Sequence, residues 1–304
     1  MAYGLQSFRD TSIREDLLDI ISDVSPDENP LSTMLKTSTA TQNTHEWQED
    51  YIARPTSNTG TVEGSDATFA DLTQPARRGN IIQTIRETFK VSDQTIAATH
   101  AGMSDPFEYQ KKKALVTWKN RQEFALLRST LGSGASGSAS TMIGIEAVIT
   151  SHYTARLSGT SLSETEFNAM VYDVANDVGT EYIPDMVLTT LQLRQKLSTF
   201  TAGSTRYVDA SEKKLVRKVM VYESDFGVHR IFGHKDVYSS AATPGPRVDL
   251  LKEDTWKIAY LRKPKYKALP ENGSYKAGMI EGDLTLEYLA ERANASRSGF
   301  NQTG

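Results

Sequence analysis

Asp225-Phe226-Gly227 spells the metal-holding triplet of protein kinases, and Gly132-Ser133-Gly134-Ala135-Ser136-Gly137 has the letters of a dinucleotide-binding glycine loop. Either would serve phosphate chemistry only in the right setting. A dinucleotide's pyrophosphate needs a turn from strand into helix, whereas this glycine run follows a helical pattern. The kinase triplet lacks its glycine loop, lysine strand and catalytic loop, so 225–227 reads as a turn between two strands. His45-Glu46 opens like a zinc-protease helix, but Glu49 occupies the position where a second histidine would ligate. His100, His152, His229 and His234 show no ligand spacing and read as hydrogen-bonded side chains. No Gly-x-Ser-x-Gly nucleophile turn occurs, and the acidic pairs Glu164/Glu166 and Glu253/Asp254 lack an apolar pocket that would raise one member, so both read as solvated. With no cysteine, thiolate catalysis, thiolate-ligated zinc and disulfides are excluded. No catalytic residue, cofactor or metal is expected; the chain does not read as an enzyme.

The elements therefore carry the information. Ser12 with Glu15 forms a capping box for a helix over 12–24, whose stripe is Ile13, Leu17, Ile20, Ile21 and Val24, and Pro26 and Pro30 stop it. So short a helix is marginal alone, so its stripe must dock, in this subunit or the next. The stretches 45–51, with Trp47 and Tyr51, and 81–91, with Ile85, Phe89 and Val91, alternate as half-buried strands. Between them 52–80 is polar and rich in small residues, with Val62, Phe69 and Leu72 as its sizeable apolar groups; it reads as an extended hairpin arm that needs a neighbour. Asp105, Pro106 and Glu108 open a helix over 106–131, about 39 Å long, that Gly132 closes. Phe107, Ala114, Leu115, Trp118, Ala125, Leu126 and Leu131 cover one side, and Lys111, Lys112, Lys113, Lys119, Arg121 and Arg128 populate the rest. That basic face is either solvated or in loose contact with a polyanion.

Residues 132–140 have the composition of a flexible connector and domain boundary. A mixed α and β lobe follows. Ser163 and Glu166 cap a helix with the stripe Phe167, Met170, Val171, Val174 and Val178; 184–189 reads as a buried strand, 191–200 as a helix, and 216–222 with 226–232 as a hairpin. Trp256, Ile258 and Tyr260, then Leu284, Leu286 and Tyr288, alternate as strands before a polar tail from Arg292.

The 304 residues suit one or two domains, and no apolar run is long enough to cross a membrane. The start lacks a signal-peptide pattern, and the absence of cysteine suits synthesis in a reducing cytoplasm. With 34 basic and 38 acidic residues the net charge is −4, which argues against a dedicated DNA-coating protein.

The order of N-terminal arm, long hairpin, lone long helix, mixed lobe and returning strands resembles the Hong Kong 97 coat-protein fold of tailed-phage major capsid proteins. Particular strings carry the likeness further. These are Glu15-Asp16-Leu17-Leu18-Asp19-Ile20-Ile21-Ser22, Thr44-His45-Glu46-Trp47-Gln48-Glu49-Asp50 and Val62-Glu63-Gly64-Ser65-Asp66-Ala67. Later come Val221-Tyr222-Glu223-Ser224-Asp225-Phe226-Gly227, Ala259-Tyr260-Leu261-Arg262 and Glu281-Gly282-Asp283-Leu284-Thr285-Leu286-Glu287. The histidine-to-aspartate string is the most specific.

The resemblance implies an α+β chain with an N-terminal arm at 1–44, an extended loop at 45–91, a peripheral domain with its spine helix at 92–139, an axial domain at 140–250, and a return to the peripheral domain with a tail at 251–304. It implies a shell of hexamers and pentamers, icosahedral or prolate, enclosing double-stranded DNA in a virion. Leu17, Ile20, Ile21, Val24, Trp47, Tyr51, Val62, Phe69 and Leu72 are the candidate inter-subunit residues. Lys111, Lys112, Lys119, Arg121 and Arg128 form a candidate lumenal basic face in weak, non-specific contact with the DNA. A portal protein at one vertex, a decoration protein and a scaffolding protein are the expected partners. The scaffold is expected to be separate, because the capping box at Ser12 begins the arm almost at once. An encapsulin-type compartment is the alternative with the same fold, and a nucleotide-using enzyme the alternative from another class. The fold's namesake joins an extended-loop lysine to a neighbour's asparagine, but from Thr37 to Phe89 there is no lysine. Arg54, Arg77 and Arg78 cannot substitute, since a guanidinium stays protonated, so no covalent cross-link is expected.

Overall fold

The structure, a computed structural model, describes residues 29–52, 55, 57–58, 60–67, 69, 74–100, 105–200, 220–237 and 245–301. The helices are α1 (Pro30–Met34), α2 (Asp93–Ala97), α3 (Pro106–Arg128), α4 (Ile145–Val148), α5 (Glu164–Val178) and α6 (Leu191–Phe200). The strands are β1 (Lys36–Thr39), β2 (Thr44–Glu49), β3 (Ala76–Ile81), β4 (Gln83–Ser92), β5 (Tyr153–Thr160), β6 (Met186–Thr189), β7 (Met220–Ser224), β8 (Gly227–Gly233), β9 (Arg247–Leu251), β10 (Trp256–Leu269), β11 (Tyr275–Tyr288) and β12 (Ala295–Phe300). They form a four-stranded sheet in the order β1-β10-β11-β4, a six-stranded sheet in the order β5-β12-β9-β6-β8-β7, and the pair β2-β3. This is the expected α+β class. The helix over 12–24, with Leu17, Ile20, Ile21 and Val24, lies outside the described residues, as does Leu72.

The chain condenses into two compact units. The smaller holds, among described residues, 86–118 and 265–280. Its start of α3 is capped as the sequence requires: Asp105 Oδ1 accepts from the Phe107 and Glu108 amides at 2.8 and 3.3 Å. Phe89 packs against Phe107 and Tyr266, with ring centroids 5.2 and 6.3 Å apart. Gly278 makes room for them, since a Cβ there would meet Tyr266 Cε2 at 2.6 Å.

The larger unit holds 28–85, 119–264 and 281–304. Its main core joins Phe167, Met170, Val171 and Val174 of α5 and Leu193 and Leu197 of α6 to Val187, Tyr222, Ile231, Val248 and Leu250 of the six-stranded sheet. Ser163 caps α5 by accepting from the Glu166 amide at 3.2 Å, as its capping box predicts. The hairpin β7–β8 turns at Asp225-Phe226, and Ser224 Oγ accepts from the Phe226 amide at 3.3 Å, so the kinase-like triplet is a turn.

The structure corrects four expectations. The tail from Arg292 is not a polar surface segment: β12 is buried throughout and lies between β5 and β9. Its polar residues can be buried because each is bonded. Ser296 Oγ accepts from Arg247 at 2.8 Å, Ser298 Oγ meets Tyr153 Oη at 2.8 Å, and Arg297 donates to the Glu166 carbonyl and to Asp173, both at 3.0 Å. Secondly, 81–91 is not the arm's second strand; β3 fills that role, and β4 joins the four-stranded sheet after the buried Ile82. Thirdly, 132–140 is no open connector. Gly132 and Thr141 exchange both backbone hydrogen bonds at 3.0 Å, and Ala135 and Ser138 pair inside them around Gly137, whose φ of +86° requires glycine. Fourthly, α3 ends at Arg128, where the Ser129 carbonyl accepts from the Gly144 amide at 2.7 Å, and Leu115 and Leu131 are exposed while Leu127, Gln122 and Glu123 are buried.

Candidate functional site

Residues 50–75 connect β2 to β3, whose register from Thr44↔Ile81 to Glu49↔Ala76 is fixed across the strands and against the four-stranded sheet. Across the strands, Arg77 pairs with Glu46, and Arg78 with Glu49 at 3.0 Å. Against the sheet, the half-buried Trp47 meets Tyr288 edge to face at 4.8 Å, and His45 Nε2 donates to Glu287 Oε2 at 3.1 Å. Burial pushes the Glu287 carboxyl up, but hydrogen bonds from Ser38, His45 and Lys257 outweigh burial and hold it below the usual range.

Asn80, fully buried on β3, pins the arm's root. Its Nδ2 donates to the Leu286 and Ile143 carbonyls at 2.8 and 3.1 Å, and its Oδ1 accepts from the Ile81 and Ile143 amides at 2.9 Å. All four bonding positions of the amide are filled.

Tyr51 closes the root on the other strand's side. Its hydroxyl lies 3.0 Å from Asp177 Oδ1 and 3.1 Å from the Asp177 carbonyl, while the Arg292 guanidinium stands 4.1 Å over its ring. Beyond it the apolar groups lose cover: Ile52, Val62 and Phe69 are 88%, 79% and 97% exposed. The Val62 carbonyl accepts from the amide and hydroxyl of Ser65 at 3.1 and 2.8 Å, a turn around Gly64, whose φ is +78°. Of the candidate arm residues, then, Trp47 and Tyr51 are engaged within the chain, and Val62 and Phe69 are exposed.

A second anchor sits where the chain enters α1. Glu123, fully buried on α3, accepts the Leu31 amide at 2.7 Å and the Ser32 amide at 2.9 Å, with His234 Nε2 at 3.5 Å from the same carboxylate. Sequence periodicity missed Asn80 and Glu123, because a buried polar group breaks the apolar pattern that locates a core, and Asp177, because its partners Tyr51, His152 and Arg292 are distant along the chain.

The basic residues of α3 are unequal. Lys111 Nζ lies 3.0 Å from Glu108 and 4.7 Å over the Tyr266 ring, and Arg128 approaches Glu146 at 3.9 Å. Lys112, Lys119 and Arg121 are exposed. His229 donates from Nδ1 to the Pro184 carbonyl at 2.7 Å, and burial pushes it down. Among the described residues no three His, Asp or Glu side chains are placed to hold a metal ion, and no helix is long and apolar enough to cross a membrane.

Residues 3–300 match the sequence profile of the SU10 major capsid protein family. A major capsid protein of Escherichia phage Phieco32 is 29% identical over 93 residues, covering 31% of this chain but only 26% of the relative. The capsid of cyanophage A-1(L) superposes with a TM-score of 0.67 at 14% identity, over 97% of this chain and 99% of that one. A solved chain of Mycobacterium phage Adephagia gives 0.62 at 11% identity over 98% of both. The SrpI encapsulin of Synechococcus elongatus gives 0.58 at 10% identity, over 100% of this chain and 98% of the encapsulin. At these identities the structures speak for the fold, which is the Hong Kong 97 coat-protein fold.

Proposed function

The chain belongs to the SU10 major capsid protein family, and from that premise we propose that its copies assemble through their arms into the hexamers and pentamers of a phage head that encloses double-stranded DNA. The observation that carries this reading is the projecting segment that leaves Ile52, Val62 and Phe69 in water. Burying a large apolar side chain is worth about 1.5–3 kcal/mol, so three such groups on a strand pair rooted by Trp47, Asn80 and Tyr51 are suited to a neighbouring copy. On this reading 1–44 and the part of 45–91 that precedes β4 are arms, 92–139 and 251–304 up to β12 build the peripheral part, and 140–250 with β12 the axial part. Leu17, Ile20, Ile21, Val24 and Leu72 are assigned to contacts between copies by their sequence pattern. The protein's role is structural and non-enzymatic, and its place is the virion. A scaffolding protein, a portal and a decoration protein are its proposed partners, and Lys112, Lys119 and Arg121 are the proposed points of weak DNA contact.

Electron microscopy of the purified protein, alone and with its scaffold, tests the reading: closed shells are expected, and deletion of residues 1–30 should leave soluble protein that makes none. Normal shells from that truncation would refute the role of the arm. The encapsulin likeness supports one rival, a compartment filled with protein cargo. Nuclease-protected DNA inside purified particles decides for the head, and cargo enzyme without DNA for the compartment.

A further inference from the structure

Asp177 stands in the last turn of α5, where a carboxylate opposes the helix dipole and no basic residue of the helix offsets it. Its surroundings are built to hold it there. Oδ1 accepts from Tyr51 at 3.0 Å and lies 3.4 Å from Arg292 Nη1; Oδ2 lies 3.2 Å from His152 Nε2 and 3.5 Å from the same Arg292 nitrogen. The Asp177 carbonyl, one of the orphan acceptors at a helix end, lies 3.1 Å from the same hydroxyl, whose single proton is shared between the two oxygens. Arg292 then covers the Tyr51 ring at 4.1 Å, so the ring is held from its edge and from its face. An open cavity of about 430 Å³, lined by Ser151, His152, Asp173, Asn176, Asp177 and Arg292, adjoins the cluster and admits water, so these bonds can be exchanged without disturbing the core. The residue after Tyr51 is the exposed Ile52.

We propose that Asp177 is the positioning residue that sets the direction in which the 52–75 segment leaves the folded chain, acting through Tyr51. This rests on the reading of that segment as an assembly arm. Asp177 ties the first exposed stretch of the arm to the end of a helix rooted in the main core, so the arm's trajectory follows α5. The β2–β3 ion pairs fix strand register but leave this direction free.

The test compares the full chain with Tyr51→Phe, Asp177→Asn and the double variant, before and after assembly. In unassembled protein, thermolysin cleavage on the amino side of Ile52 should rise about tenfold in Tyr51→Phe, the factor expected for one lost hydrogen bond to a charged group, and less in Asp177→Asn, whose amide oxygen and backbone carbonyl still accept. The double variant should be no faster than Tyr51→Phe, which already removes the hydroxyl that Asp177 holds. Thermal midpoints should stay within a few degrees of the parent, and Tyr51→Phe, which leaves Asp177 in place, guards against a folding defect in Asp177→Asn. Closed shells should become fewer or misshapen. Unchanged cleavage in Tyr51→Phe, or additive effects in the double variant, would overturn the latch. Faster cleavage with normal shells would uphold the latch and overturn the assembly role of the arm instead.

Discussion

Glu146 brings a carboxylate beside Arg247 at 3.6 Å and Arg128 at 3.9 Å, with Asp249 on the far side of Arg247, and its Oε1 is buried without a hydrogen-bond donor. Burial pushes this carboxyl up to about 7, and the two arginines pull it back only in part. Because the folded value lies above the unfolded one, the folded chain holds the extra proton between about pH 4.5 and about pH 7. Stability therefore falls as pH rises through that window, by at most about 3 kcal/mol. Glu146→Gln should flatten this part of the pH profile in urea unfolding of the unassembled chain; an unchanged slope would show that another group is responsible. The histidine-to-aspartate string was legible in the sequence as a distinctive segment. That His45 would donate to Glu287 and Trp47 would lie against Tyr288 was not, because those partners are more than 200 positions away along the chain. Asn294 illustrates the same limit: its amide accepts from the Lys252 amide at 2.9 Å and Trp256 Nε1 at 2.8 Å and donates to the Ala290 and Glu291 carbonyls. Nothing local marks it as different from a loop asparagine.

Among the elements, those with a local signal were readable. Capping chemistry located the starts of α3 and α5, a short apolar run located β6 as a buried strand, and alternation located β10 and β11. Strand β12 was missed because Ser296, Arg297 and Ser298 follow one another between Ala295 and Gly299, a pattern that reads as surface until the partners of each polar group are known. The glycine and serine run from 132 misled for a related reason: composition reports freedom, whereas pairing depends on where Gly132 meets Thr141. Two substitutions probe element placement. Glu123→Gln keeps one acceptor for the α1 amides and loses the other, so thermal unfolding should move down by several degrees, for a loss of about 1–3 kcal/mol. Gly144→Ala would bring a Cβ within 2.9 Å of the Leu127 carbonyl group and the Ser129 nitrogen, all backbone atoms that cannot swing aside. It should destabilise by about 1–3 kcal/mol, and a neutral effect in chemical denaturation would mean that the segment after α3 yields more easily than close packing suggests.

For the whole molecule, the lack of lysine from Thr37 to Phe89 and of any cysteine leaves cohesion between copies to packing, strand contacts and many small repeated interfaces. Boiled mature particles should run on a denaturing gel as one band near 33.6 kDa, and a ladder of multimers would reveal covalent chemistry elsewhere in the chain. The overall order of elements was legible because each carries its own punctuation, while the closure of the six-stranded sheet by its last strand was not, since it depends on distant segments alone. That closure bears on how the protein is made. Among the described residues β5 joins its sheet through β12, so translation delivers β5 roughly 140 residues before the strand that joins it, on the order of ten seconds at usual synthesis rates. Until residue 300 has cleared the ribosome, β9 has an open edge and β5 has no partner at all. A chain that has not yet delivered β12 therefore cannot present a finished six-stranded sheet to a neighbouring copy.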